Sequence, residues 1–414
     1  MLNITFPNQE KRKQILTLST PIILGMLSIN ILDLVDTAMI GHLGNKALAA
    51  TGFGSFIFFT LFSVLIGVSM AVQSVTARRF GEKQLDLCGS PLNTGLLFCT
   101  LYAVPISILT ILLAPKIISL FSTDPEVIQM GTDYLQWRVV GLLAIGYSLT
   151  FRSFWNGIKE PHVYTTILIF THVLNAALNW TFIFGQFGLP ALGLKGAAIG
   201  SSLALWIAAT VYAIVSYVKK GNEMSVLRIK PTSSIITSIF KISWPASVDQ
   251  LSFAAFLLSL FWIFGQVGTE AAAVAHVVIT CTLLLWLPGI GFGMASLTLV
   301  GESLGEKKIK KAKQWPWDVA SISGPIILVA GLLLYPFSNW ILSCFIHDPS
   351  TLTLGLFPLR LDLLTLWTAC IGGVFVESLI GAGATRTVML MKMLIRWIIL
   401  IPGAYLIGIH LNYG

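Results

Sequence analysis

Shifted by 224 places against itself, this chain matches without a gap. Ser19 and Pro21 fall on Ser243 and Pro245, and Gly41 and Gly44 on Gly265 and Gly268. Gly67, Met70 and Ala71 fall on Gly291, Met294 and Ala295, and Gly81-Glu82-Lys83 on Gly305-Glu306-Lys307. Of the 65 positions from 19 to 83, 17 are identical in the copy. Composition alone predicts roughly five. The register persists where Phe121, Asp124 and Pro125 meet Phe345, Asp348 and Pro349, and where Gly157 meets Gly381. The chain therefore folds as two copies of one large unit.

That unit belongs in a bilayer. Hydrophobic residues make up 55% of the chain and charged residues 11%, whereas a soluble domain carries about 25% charge to coat its surface. Apolar runs of about 20 residues recur, as membrane-spanning helices require, and the alternating pattern of an outer-membrane barrel is absent. Duplication within a polytopic helical protein points to a transporter. The net charge is +8, and 17 of the 26 basic residues fall on alternate loops. They lie at Lys11, Arg12 and Lys13, around Arg78, Arg79 and Lys83, and at Lys159. Others lie at Lys219, Lys220, Arg228 and Lys230, from Lys307 to Lys313, and at Arg386. This alternation places those loops and the N-terminus in the cytoplasm. Basic clusters between spans belong to topology, so no nucleic-acid partner is expected. The five cysteines show no CxxC or metal-ligand spacing and read as small packing residues.

The apolar runs predict helices near 14–40, 47–75, 92–114, 128–157, 163–185 and 194–218. The second copy predicts them near 238–265, 272–299, 317–343, 353–382 and 388–409. This gives an all-α polytopic membrane protein with an N-lobe at 1–218, a cytoplasmic linker at 219–237 and a C-lobe at 238–414. Six helices return the chain to its starting side, so the repeats are parallel and form two lobes around a central cleft. The counterpart of the sixth helix would begin near residue 419, beyond Gly414. The twelfth helix is thus expected to be absent, through truncation or in a true eleven-helix protein.

Polar residues at depth are the informative ones, since an acid at mid-bilayer costs about 2.5–3.5 kcal/mol on insertion scales. The first helix holds Asn30, Asp33, Asp36 and Thr37. At 100° per residue Asn30, Asp33 and Thr37 lie within about 60° of one another, with Asp36 about 120° from Asn30. Asp36 reads as a cation- or proton-binding carboxylate or as an interhelical hydrogen bond, and Asp33 divides evenly between the two. His172, Asn175 and Asn179 share one face of the fifth helix and serve either an ion or helix packing. Ser201 in the sixth adds a hydroxyl within a small-residue stretch. The second copy does not repeat the acids, because Asp33 and Asp36 meet Leu257 and Leu260. Its own candidates are Asp249 and Gln250 in the seventh helix, His276 in the eighth and Glu377 in the tenth.

Several segments together resemble the multidrug and toxic compound extrusion (MATE) transporters. They are Asp36-Thr-Ala-Met-Ile-Gly41-His-Leu-Gly44, Leu178-Asn179-Trp180 through Phe187-Gly188-Leu189-Pro190, Gly196-Ala-Ala and Ala273-Val-Ala275-His276. The resemblance spans the whole chain. It implies export of organic cations and amphipathic drugs against an inward flow of H⁺ or Na⁺, with Asp36 at the position of the family's essential first-helix acid. Asn175, Asn179 and Ser201 match groups of its N-lobe cation site, and Na⁺ would sit at Asp36, Asn175 and Asn179. Where one branch has Asn-xxx-Asp in the fifth helix, this chain has Asn175-xxx-Asn179. The seventh- and tenth-helix acids of another branch meet the region of Phe253 and Ala369.

No P-loop, HExxH or GxSxG motif is present, so enzyme activity is not expected, and no cofactor beyond the coupling ion is implied. The expected partners are drug-like small molecules and the bilayer. The chain is expected to act as a monomer in the bacterial inner (plasma) membrane. Alternative readings are a flippase of lipid-linked oligosaccharide or another amphiphile, and a non-transporting membrane protein. A flippase would require a large basic cleft, for which the first-copy spans supply Arg138 and Arg152.

Overall fold

The computed structural model describes residues 6–228, 231–346 and 348–410; Lys230 of the predicted linker lies outside them. Among the described residues the chain is helical, with no strand. The first copy contains α1 (Gln9–Gly41), α2 (Asn45–Gly81), α3 (Gly89–Ile118), α4 (Pro125–Val139), α5 (Leu142–Gly157), α6 (Pro161–Phe184) and α7 (Gly193–Lys220). The second contains α8 (Ser233–Val267), α9 (Thr269–Gly305), α10 (Ile309–Leu334), α11 (Ser338–Ser343), α12 (Pro349–Gly381), α13 (Thr385–Leu394) and α14 (Ile401–Tyr405). Among these residues nine helices are long and apolar enough to span a bilayer. A tenth is the bent pair Val274–Leu283 and Leu285–Gly305, which turns through 44°.

One predicted helix is broken. The segment expected as a single helix over 128–157 divides into α4 and α5 at Val140–Gly141. A helix break in an apolar setting frees carbonyls that must find donors, and here side chains supply them. Ser107 donates to Val139 O (3.1 Å), Ser202 to Trp137 O (2.8 Å) and Trp206 to Val140 O (3.1 Å). Its counterpart α12 has Leu364 and Thr365 at the matching positions and runs unbroken. Two further spans are also interrupted. A 3₁₀ turn at Tyr335–Phe337 separates α10 from α11, with Pro336 inside it. π-helical turns at Ile395–Leu400 and Leu406–His410 flank α14, where Pro402 withholds a backbone N–H.

The repeat is visible in the backbone. α2 ends with Lys83 N–H bonded to Phe80 O and Gln84 N–H to Arg79 O. α9 ends with Lys307 N–H to Leu304 O and Lys308 N–H to Ser303 O, the same pattern 224 residues on. Both lysines are left-handed, at φ 59° and 60°. Asp124 and Asp348 likewise cap α4 and α12, accepting from Glu126 N and Thr351 N. Contacts divide the chain into two compact units, residues 28–247 and residues 1–27 with 248–414. In the second of these, Lys11 of α1 pairs with buried Asp318 of α10 (2.6 Å), and Ile15 and Leu18 join a core with Phe292, Leu299 and Trp315.

Candidate functional site

The unit 28–247 gathers Asp36, Asn175, Asn179 and Ser201 from three helices. On α6, Asn175 and Asn179 are one turn apart and so share a face. α7 approaches α6 through Gly196 and Gly200. A side chain at Gly200 would meet the backbone N of Asn179 at 3.0 Å, and one at Gly196 would meet that of Ile183 at 3.0 Å. This small-residue contact lets the helices close and puts Ser201 beside Asn179. α1 supplies the acid.

Asn179 is the hub, with 1% of its surface exposed. The two N–H groups of its amide Nδ2 are shared among Asp36 Oδ1 at 2.9 Å, Asn175 Oδ1 at 3.0 Å and Ser201 Oγ at 3.2 Å. Three oxygens thus converge on one NH₂ group. One turn further along each helix the polar layer ends: Ile40 follows Asp36, Ile183 follows Asn179 and Ala197 precedes Ser201. All three belong to one dry cluster with Ala47, Ala50 and Leu194. The Asp36 carboxylate therefore rests on an apolar floor, where charge is costly unless paired.

Asp33, one turn from Thr37, lies exposed on α1, and Thr37 Oγ1 donates to its backbone carbonyl at 2.7 Å. His172 lies one turn before Asn175 on α6. Its Nδ1 is buried without a hydrogen-bond partner, and its ring bonds the backbone of Ser28.

Arg138 of α4 is a member that sequence reasoning assigned only to a hypothetical basic cleft. Its guanidinium lies 4.4 Å from the centre of the Phe58 ring and interacts electrostatically with Asp33 and Asp36. It forms no salt bridge with either acid, and its Nη1 is buried without a hydrogen-bond partner. An arginine inside an apolar span, with no acid three or four residues away on its own helix, was the available signal.

The four candidates of the second copy are arranged differently. Asp249 of α8 is buried and bound by two cations, Lys392 Nζ at 2.9 Å and Arg396 Nη1 at 2.7 Å. Gln250 follows it, half-buried. Glu377 of α12 packs against Gly293 of α9, and the His276 ring tilts against Phe261 at 6.3 Å. Among the described residues no three His, Cys, Asp or Glu side chains cluster to hold a metal. A 560 Å³ apolar cavity lined by Leu258, Trp262, Ile263, Ile401, Pro402 and Tyr405 offers no charged group and is remote in sequence from the Asp36 site.

The MatE family model matches residues 21–181 and again 245–406, two segments that start 224 residues apart. A probable multidrug resistance protein NorM of Mannheimia succiniciproducens is 24% identical over 402 residues, covering 96% of this chain and 86% of that protein. One of the same name from Listeria monocytogenes serovar 1/2a is 26% identical over 404 residues, with 95% and 87% covered. A solved structure described as the outward-facing conformation of a multidrug resistance MATE family transporter of the MOP superfamily superposes with a TM-score of 0.88. It is 19% identical and covers 96% of this chain and 88% of that one.

Proposed function

The chain belongs to the MatE family, and from that premise we propose that it is a multidrug efflux transporter. It exports organic cations and amphipathic drugs by alternating access, coupled to inward flow of H⁺ or Na⁺. It works from the plasma membrane with its N-terminus in the cytoplasm, as the alternation of basic loops supports. The observation that carries the coupling is the 2.9 Å bond from Asn179 to Asp36.

In this arrangement the Asn179 amide partly neutralises the Asp36 carboxylate. A proton on Asp36 removes the charge that holds the amide. A sodium ion instead requires the amide to turn, so that Asn179 Oδ1 joins the oxygens of Asp36, Asn175 and Ser201. Protonation loosens the link from α1 to α6 and frees α1 to shift, whereas sodium replaces the amide bond by a bridge of oxygens and so resets the position of α1 against α6. Loss of one charged hydrogen bond, worth about 1.5–3 kcal/mol, is enough to bias two states separated by a few kcal/mol.

The test is Asp36→Asn in cells and in vesicles. The variant should accumulate to the normal level, lose ethidium efflux and lose its response to imposed H⁺ or Na⁺ gradients. Normal drug resistance in that variant would sink the proposal. In wild-type vesicles, ethidium movement that follows a pH gradient and ignores Na⁺ assigns the proton, and the reverse assigns sodium.

A further inference from the structure

Lys392 and Arg396 bracket Asp249 with more positive charge than the acid can neutralise. Arg396 Nη1 donates to Asp249 Oδ1 at 2.7 Å and to its backbone carbonyl at 3.1 Å, and Lys392 Nζ donates to Oδ2 at 2.9 Å. The three side chains are 6%, 27% and 13% exposed for Asp249, Lys392 and Arg396. One carboxylate faces two cations, which leaves a surplus of one positive charge inside a span. A structural strut needs one cation per acid, and a second cation in a span carries a desolvation cost that the single acid does not offset. Among the described residues, the other guanidinium N–H groups of Arg396 and the remaining Lys392 N–H groups donate to no protein acceptor.

The cluster is also held in place. Trp397 Nε1 donates to Ser252 Oγ at 2.9 Å, and the Phe253 ring lies 5.2 Å from the Arg396 guanidinium, with Trp286 against Phe253 at 6.4 Å. Arg396 sits within the π-helical turn Ile395–Leu400, a distortion found often at functional sites. The scaffold does not demand the cluster. In the repeat register Asp249, Lys392 and Arg396 stand where the first copy has Gly25, Leu168 and His172.

We propose that Lys392 and Arg396 form an anion site that takes the carboxylate or sulfonate of a transported aromatic amphiphile, with Asp249 as its resident counter-charge. The bound anion supplies the charge that Asp249 leaves unmatched, and Phe253 and Trp286 offer rings to its aromatic body. This rests on the transporter reading and widens its substrates to zwitterionic and anionic amphiphiles.

The probe is fluorescein, an aromatic carboxylate, titrated by fluorescence polarisation onto the protein in phosphatidylcholine nanodiscs, with ethidium as the cationic control. Lys392→Gln keeps the Asp249–Arg396 pair and so keeps the fold, which thermal melting checks. It should weaken fluorescein at least tenfold and leave ethidium within twofold. Asp249→Asn should tighten fluorescein. Unchanged fluorescein affinity in Lys392→Gln, or no saturable binding by the wild type, overturns the site. Loss of fluorescein binding on adding phosphatidylglycerol, with no fluorescein movement in vesicles, makes the occupant a lipid headgroup and also overturns it. Failure of wild-type ethidium efflux would refute the transporter reading, while the polarisation titration would still report on the anion site.

Discussion

Asn179 carries more of the candidate site than the acid it serves. Its one NH₂ group answers three acceptors on three helices. Truncating it leaves the Asp36 carboxylate without a donor above an apolar floor, a loss of about 1–3 kcal/mol. Asn179→Ala should therefore abolish ethidium efflux almost as completely as Asp36→Asn and lower the melting temperature, whereas Ser201→Ala should keep most activity. Wild-type efflux by Asn179→Ala would remove the amide from the mechanism. These four residues were legible in the sequence because polar groups at depth are rare, and the i, i+4 spacing of Asn175 and Asn179 states their shared face. Arg138 was not legible as their neighbour, since nothing in a linear reading brings α4 to α1. The partners of Asp249 were hidden for the same reason: its two cations lie 143 and 147 residues away.

Helix ends show how much of an element local chemistry decides. The four matched ends at 83 and 307, and at 159 and 383, close with the same pair of backbone bonds, each requiring a left-handed residue. Glycine takes that conformation freely, yet only Gly383 uses it, while Lys83, Lys159 and Lys307 adopt it at a cost of about 1–2 kcal/mol each. Their charge at a helix C-terminus returns about 0.3–1 kcal/mol. Lys83→Gly and Lys307→Gly should each raise stability by roughly 0.5–1 kcal/mol by this difference, and Gly383→Ala should lower it by a similar amount. Differential melting in detergent reads all three, and destabilisation by both lysine changes would refute the argument. The spans were readable from hydropathy alone. The break between α4 and α5 was not, because its donors Ser107, Ser202 and Trp206 come from α3 and α7 and act only once the helices are packed.

At the scale of the whole molecule, one identical pair of the repeat, Gly67 and Gly291, turns out to be a pair of contact points. Gly67 of α2 meets α8 at Ser247, and Gly291 of α9 meets α1 at Ile23, positions that again differ by 224. Each contact lies inside one compact unit, the first in residues 28–247 and the second in residues 1–27 with 248–414. The duplication was plain in the sequence, but which copy each leading helix would serve was not, since identical glycines cannot say whose backbone they receive. The two contacts differ in what they would resist. A Cβ at Gly67 would lie 2.7 Å from the Ser247 Cα, against main chain that cannot yield. At Gly291 it would first meet the Ile23 Cγ1 at 2.5 Å, with the nearest main-chain atom at 3.4 Å. Overpacking of this kind costs about 1–3 kcal/mol, with backbone clashes toward the upper end. Gly67→Ala should therefore destabilise more than Gly291→Ala. Ile23→Val, by withdrawing the δ-carbon and letting the side chain turn, should recover stability in the Gly291→Ala background, while Ser247→Ala should recover none in the Gly67→Ala background. Melting temperatures of the four variants decide it: equal losses with equal rescue would mean that the two contacts are not built as described.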